Sequence, residues 1–277
     1  MVGTDLVEAL HRRGDDVVAL SKSDLDITNG RVVDSIIGEA KPTIIVNCAA
    51  FTRVDDAETH AAVANAVNGS SVQLLAEAAN RADALLVQIS TDFVFDGRKR
   101  TPYEINDPPS SDSAYGRSKQ LGEQAATHAG KHLIVRTAWL FGVHGHNFVE
   151  AIRKQIARET NPLHVVDDQR GRPTYTPHLA DAIIRLVDRD ARGIAHYADE
   201  PECTWYDFAC AIVEELGADV TVKPVSTEEF PRPAARPAYS VLSTEHYERL
   251  TGVKPESWRE GLREYLGKRE VRSSKFE

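Results

Sequence analysis

No stretch of this sequence approaches the ~20 consecutive apolar residues that a membrane-spanning helix needs. Its first residues also lack the basic region and apolar core of a signal peptide. The expectation is a cytoplasmic protein with no membrane partner. Cysteine is scarce: Cys48, Cys203 and Cys210 are odd in number and share no metal-like spacing. That pattern favours small buried side chains over a disulfide framework or a thiolate cage. Positive charge is short as well. Against 42 Asp and Glu stand 33 Lys and Arg, a formal charge of -9, which offers no basic face to nucleic acid. Internal repeats and low-complexity tracts are missing too.

The 277 residues suffice for one large domain or two unequal ones, and the 42% hydrophobic content argues against disorder. In the first two-thirds, short apolar runs alternate with segments of helical period, the pattern of an α/β protein with a parallel sheet. Strands are expected at 17–20, 43–47, 84–90 and 132–136, and helices at 31–40, 61–82 and 114–129. Runs so continuous in Val, Ile and Leu are buried on both faces, as in a doubly wound sheet. The rhythm changes after Gly142: a helix at 148–158, a strand at 163–166, then a loop bearing Gly and Pro. A helix at 178–188 and a strand at 194–198 return to the main sheet. Residues 204–268 read as helix, strand, proline-rich loop (224–237) and two short helices, and the polar end from 268 reads as frayed. The chain thus divides into a nucleotide-binding unit (1–142, with 178–198), a smaller C-terminal α/β unit (143–177 and 199–268) and a flexible tail (269–277).

The sharpest chemical signal is Tyr115-Gly116-Arg117-Ser118-Lys119. Four residues apart on a helix, Tyr115 and Lys119 share a face. A phenol of pKa about 10 is a poor acid-base group near neutrality unless a cation stabilises its phenolate, and Lys119 is placed to lower it. Thr91 stands 24 residues earlier, at the carboxyl end of an apolar strand, where open α/β sheets bind ligands. Its hydroxyl suits a substrate carbonyl. His144-Gly145-His146 invites a metal reading, but no third ligand stands at suitable spacing, so no metal is expected.

With Thr91, Tyr115 and Lys119 in the pattern of short-chain dehydrogenases, longer segments narrow the comparison. Asn47-Cys48-Ala49-Ala50-Phe51-Thr52, Val54-Asp55-Asp56-Ala57-Glu58 and Ser90-Thr91-Asp92-Phe93-Val94-Phe95-Asp96-Gly97 resemble the dTDP-4-dehydrorhamnose reductase family. So do Arg136-Thr137-Ala138-Trp139, Asp168-Gln169-Arg170-Gly171-Arg172-Pro173-Thr174 and Arg236-Pro237. The resemblance covers nearly the whole chain in order. It implies a Rossmann-like dinucleotide fold with a smaller substrate-binding domain, NADPH or NADH as hydride donor, and a nucleotide-linked 4-keto-6-deoxysugar as substrate, within dTDP-rhamnose biosynthesis. Tyr115 would donate the proton, Lys119 would also hold the nicotinamide ribose, and Thr91 would polarise the carbonyl.

By the same resemblance the cofactor lies against Gly3, Asn47, Ala49 and Ala50, with Asp26 and Ile27 near the adenine. Lys22 follows the 17–20 run where NAD-selective folds carry an acid, which points to NADPH through its 2′-phosphate. The substrate would meet Asn68, Trp139, Asn147, Gln169, Arg172 and Arg236, the arginines supplying forks for a diphosphate. A homodimer is expected. A reductase or epimerase of another nucleotide sugar would share these residues, and a non-catalytic reductase-like regulatory subunit would share the fold. One departure concerns the start: the sequence opens on helix-like Val2, Leu6 and Leu10, and the family's first strand and first two glycines have no counterpart. The expectation is a chain called from an internal methionine, with weakened cofactor binding.

Overall fold

The computed structural model describes the backbone of residues 1–273 and the side chains of residues 1–267. Four strands form a parallel sheet: β1 (Ile44–Asn47), β2 (Leu85–Thr91), β3 (His132–Thr137) and β4 (Gly193–His196), in the order β1-β2-β3-β4. Val46 pairs with Val87, Ile89 with Val135, and Ile134 with Ile194. Because side chains alternate along a strand, each strand feeds two cores. Leu85, Val87, Ile89, Leu133 and Val135 meet helices α1 (Val2–Arg13) and α5 (Thr176–Asp188) on one face. Leu86 and Ile134 meet α2 (Gly30–Ala40), α3 (Ser71–Ala82) and α4 (Ala114–Ala126) on the other. This is the doubly wound arrangement expected from the uninterrupted apolar runs.

A second core gathers Phe141, Val149, Ile152, Leu163, Tyr175, Phe208, Trp258 and Tyr265. It lies among the helices Phe148–Ala157, Trp205–Glu215 and Trp258–Ser273 and the parallel strand pair Leu163–Val166 and Val222–Val225. Pro224, expected to begin the loop, sits inside that two-stranded pair opposite Val165. A missing N–H is tolerated there because a two-stranded sheet consists of edges.

Three expectations are corrected. Residues 17–20 form no strand: no backbone pairs with them, and Val18 and Leu20 are 64% and 44% exposed. An apolar run becomes a strand only when a neighbour closes its ladder. The helix expected at 61–82 keeps those bounds but widens into a π-helical turn at Ala66–Ser70, between Ala61–Asn65 and α3. The supposed tail is helical through Ser273, while residues 274–277 lie outside those described.

Candidate active site

The carboxyl end of β2 delivers Thr91, and α4 lies against that end. Two side chains start α4. Ser113 caps it, accepting the Gly116 amide at 3.0 Å, and Glu58 accepts the Ala114 amide at 2.8 Å. Gly116 is required by a close approach: a Cβ would run into the carbonyl of Phe93 and the hydroxyl of Ser111. Tyr115 is thereby pressed edge-on against Phe93, with ring centroids 5.6 Å apart, and its hydroxyl faces Thr91.

A buried ion pair fixes the depth of the helix. Arg136 on β3 donates to both oxygens of Glu123 on α4, at 2.8 and 2.7 Å, and Ser90 donates to the same carboxylate at 2.6 Å. Arg136 is 1% exposed, so this bidentate geometry must satisfy charges that water cannot reach. Strands β2 and β3 and helix α4 are locked in one register beneath the site.

The electrostatics differ from expectation at Tyr115. Burial pushes its phenol up to about 12, with Asp92 adding to the rise and the Thr91 hydrogen bond opposing it. Lys119 is not among the groups that shift it, and its Nζ donates to the Ile89 carbonyl at 2.7 Å. Burial lowers Lys119 itself to about 8, against the carboxylate of Glu123. The expected low-pKa phenol is therefore not the resting state. Tyr115 keeps its proton near neutrality. Asp92, beside Thr91, is enclosed, and burial raises its carboxyl to about 6.

The residues expected to hold the cofactor fall around the ends of α1 and β1. A Cβ on Gly3 would come within 3.3 Å of Cys48 Cβ, so the helix packs on the segment after β1 at the distance a glycine permits. Asn47 is pinned by Gln88 (2.8 Å) and turns its Oδ1 to the Ala49 amide (3.1 Å), leaving Ala49 exposed and Ala50 half-exposed. The first turn of α1 has no side-chain cap, and while the Thr4 and Asp5 amides donate to the Met1 carbonyl, those of Val2 and Gly3 remain available to an anion. Lys22 is exposed, and Asp26 accepts the Thr28 amide and hydroxyl. Ile27 packs against the core beside α2. This cradle suits a dinucleotide.

The residues expected at the sugar nucleotide scatter more widely. Trp139 adopts φ +47°, in the sparsely populated left-handed region, and stacks on Trp205 at 3.6 Å and 7°. Arg236 donates to Asp55 at 2.7 Å, and Ala234 does so at 3.2 Å, docking the proline-rich loop on the Val54–Glu58 motif. A small recess lined by Phe93, Ser113, Arg236 and Pro237 connects that loop to the start of α4. Arg172 reaches Glu200 (3.4 Å) and Thr244 (3.3 Å), with its buried Nε unpaired. Gln169 donates to Thr227 at 2.9 Å. Asn147 caps the Phe148–Ala157 helix through the Glu150 amide. Asn68 spends its amide on Phe51 and Ser118. For Asn68 and Asn147 the structure therefore shows contacts within the fold.

Sequence reasoning passed over several residues. Glu58 and Asp55 lie inside a motif already quoted, and Asp92 directly follows Thr91. Trp205 carried no local signal. Arg98, Lys99, Arg170 and Tyr239 line an open cleft of about 650 Å³. His144 Nε2 lies 3.4 Å from Glu8 and 3.7 Å from Asp5, both on α1, in an arrangement that could hold a metal ion, while His146 stays outside the group.

The comparisons with known proteins agree with this geometry. The family described as "RmlD substrate binding domain" matches residues 1–271. The spore coat polysaccharide biosynthesis protein SpsK of Bacillus subtilis is 42% identical over 269 residues, covering 97% of this chain and 94% of the relative. The dTDP-4-dehydrorhamnose reductase of Mycobacterium tuberculosis (strain ATCC 25618 / H37Rv) is 42% identical over 270 residues, 94% of this chain and 88% of that protein. Among solved structures, the Bacillus anthracis dTDP-4-dehydrorhamnose reductase in complex with NADP is 38% identical, with TM-score 0.92 over 96% of this chain and 95% of that one. The chain belongs to the RmlD substrate-binding-domain family, that of the dTDP-4-dehydrorhamnose reductases.

Proposed function

We propose that this protein reduces the 4-keto group of a dTDP-linked 6-deoxysugar with NADPH or NADH, converting dTDP-4-dehydrorhamnose to dTDP-L-rhamnose. The observation that carries this reading is Tyr115 on α4 facing Thr91 at the end of β2, in a chain matched by the reductase family over residues 1–271. Gly3, Asn47, Ala49 and Ala50 would hold the cofactor, which would supply the hydride. Thr91 donates a hydrogen bond to the carbonyl oxygen, stabilising the charge that develops there. Tyr115 passes its proton to the alkoxide, which is the stronger base, and Lys119, now on the Ile89 carbonyl, would hold the nicotinamide ribose and stabilise the phenolate.

Trp139, braced by Trp205, walls the sugar. Arg236 and Arg172, already positioned by carboxylates, turn their remaining N–H groups to the diphosphate, and Lys22 would meet the 2′-phosphate of NADPH. Substrate relatives support the nucleotide class: a Streptomyces niveus protein 42% identical to this chain is named dTDP-4-keto-6-deoxy-D-glucose reductase. Among the described residues no helix is long and apolar enough to cross a membrane. With Cys48, Cys203 and Cys210 all free, we place the reaction in the reducing cytoplasm, carried out by a homodimer. The test is oxidation of NADPH, followed by absorbance, with dTDP-4-keto-6-deoxy-L-mannose beside its UDP and GDP analogues. Turnover confined to the dTDP compound is expected, and equal turnover of all three would refute the assignment.

A further inference from the structure

The reaction above leaves Asp92 without a task. Its side chain is 1% exposed, and its Oδ1 lies 3.1 Å from Thr91 Oγ1. Thr91 Oγ1 in turn accepts the Phe93 amide at 3.3 Å and is faced by the Tyr115 hydroxyl. Asp92 Oδ2 closes no hydrogen bond, and neither does Ser240 Oγ, which faces the carboxyl near enough to favour its charged form. No ion pair to Asp92 forms among the described residues. Thr91, Ser240 and Tyr115 are the side chains that face it, and of these only Tyr115 titrates, far above neutrality.

Counting protons turns this geometry into a constraint. A threonine hydroxyl carries one proton and two lone pairs, and an ionised carboxylate can only accept. With Asp92 ionised, the 3.1 Å contact consumes the Thr91 proton. A ketone oxygen also only accepts, so carboxylate, substrate and the Tyr115 oxygen compete for that single proton. A protonated Asp92 leaves that competition and instead donates to Thr91 Oγ1.

We propose that Asp92 is a positioning residue for the reduction: protonated, it donates to Thr91 Oγ1 and turns the threonine proton toward the substrate carbonyl, and ionised, it turns that proton away. The proposal rests on the reading of the site as a ketone reductase. The Asp92 proton is not consumed. Hydride reaches the carbon from the reduced nicotinamide, the proton on oxygen comes from Tyr115, and Tyr115 is recharged from solvent.

The experiment is the pH dependence of kcat/KM, from about pH 5 to about pH 9, for wild type, Asp92→Asn and Thr91→Val, which reports groups of the free enzyme. Folding of each variant is checked by thermal midpoint and NADPH binding. In the wild type the rate falls along a limb above about pH 6, the value to which burial raises the carboxyl, and levels off at the rate of Thr91→Val. Asp92→Asn abolishes the limb because an amide does not titrate. Thr91→Val is slower but also loses the limb, since Asp92 acts only through the hydroxyl. A merely structural Asp92 leaves the limb, or its absence, the same in all three proteins, and that result overturns the proposal. Carboxyl ¹³C shifts report the Asp92 proton without any turnover. A midpoint in the ordinary carboxylate range overturns the proposal by itself. A wild type that titrates as expected yet reduces no dTDP-linked 4-ketosugar overturns the reductase reading, and the proposal with it.

Discussion

Asn68→Ala removes the amide that ties the segment after β1 to α4. In the native fold Asn68 is 1% exposed. Its Oδ1 accepts the Phe51 amide at 2.8 Å, and its Nδ2 donates to the Phe51 carbonyl at 3.0 Å and to Ser118 Oγ at 2.8 Å. Truncation leaves both backbone groups of Phe51 buried and unpaired, at roughly 1–3 kcal/mol each. Ser118 keeps its 2.7 Å bond to the Tyr115 carbonyl, so its share is small. The expected loss is about 3–5 kcal/mol, a large part of the ~5–15 kcal/mol that holds a domain together. Urea unfolding followed by circular dichroism measures it, with an unchanged slope showing that the folded state is otherwise intact. Asn68→Asp keeps the shape and the acceptor but loses both donor contacts and buries a charge, so it is destabilised at least as much. The reasoning is refuted if Asn68→Ala unfolds within about 0.5 kcal/mol of wild type while the Michaelis constant for the nucleotide sugar rises tenfold. Asn68 would then be a substrate contact, as the sequence suggested.

Tyr115→Phe lowers kcat by at least ~10²-fold with cofactor affinity nearly unchanged, measured by single-turnover kinetics and NADPH fluorescence titration. Arg236→Ala and Arg172→Ala raise the Michaelis constant more than they lower kcat, and steady-state kinetics with unchanged substrate affinity in both would disprove the diphosphate role. Acid destabilises the fold through His196. Burial, then the neighbouring Arg136, lowers its imidazole from 6.5 to about 3, so the folded state favours the neutral ring. The stability this group contributes is complete above pH 6.5 and is lost as pH falls toward about 3. At ~1.4 kcal/mol per unit, about 2 kcal/mol disappears by about pH 5. Chemical denaturation of His196→Gln shows a correspondingly shallower decline, and a decline as steep as wild type removes His196 as the cause.

The strands were legible where burial on both faces writes a continuous apolar run, as in Leu85-Leu86-Val87 and Leu133-Ile134-Val135. The same signal misled at residues 17–20, because a run of Val and Leu records hydrophobicity and not the presence of a pairing neighbour. Helix starts were legible from composition, yet the π-helical turn at Ala66–Ser70 was not. It holds Asn68, whose contacts with Phe51 and Ser118 are tertiary.

At the site, the types and spacing of Thr91, Tyr115 and Lys119 were determined by the sequence alone, since a four-residue step on a helix fixes a shared face before any packing occurs. The protonation states were decided only by the tertiary structure. Spacing suggested that Lys119 lowers the Tyr115 pKa, but the Ile89 carbonyl holds Lys119 and burial holds the phenol proton. Likewise, Arg236 and Asp55 lie far apart along the chain and meet only when the proline-rich loop folds onto the segment after β1. Local pattern reports which groups are present and which way a helix presents them. Desolvation and long-range pairing depend on what the rest of the chain places around them, and no window of sequence contains that.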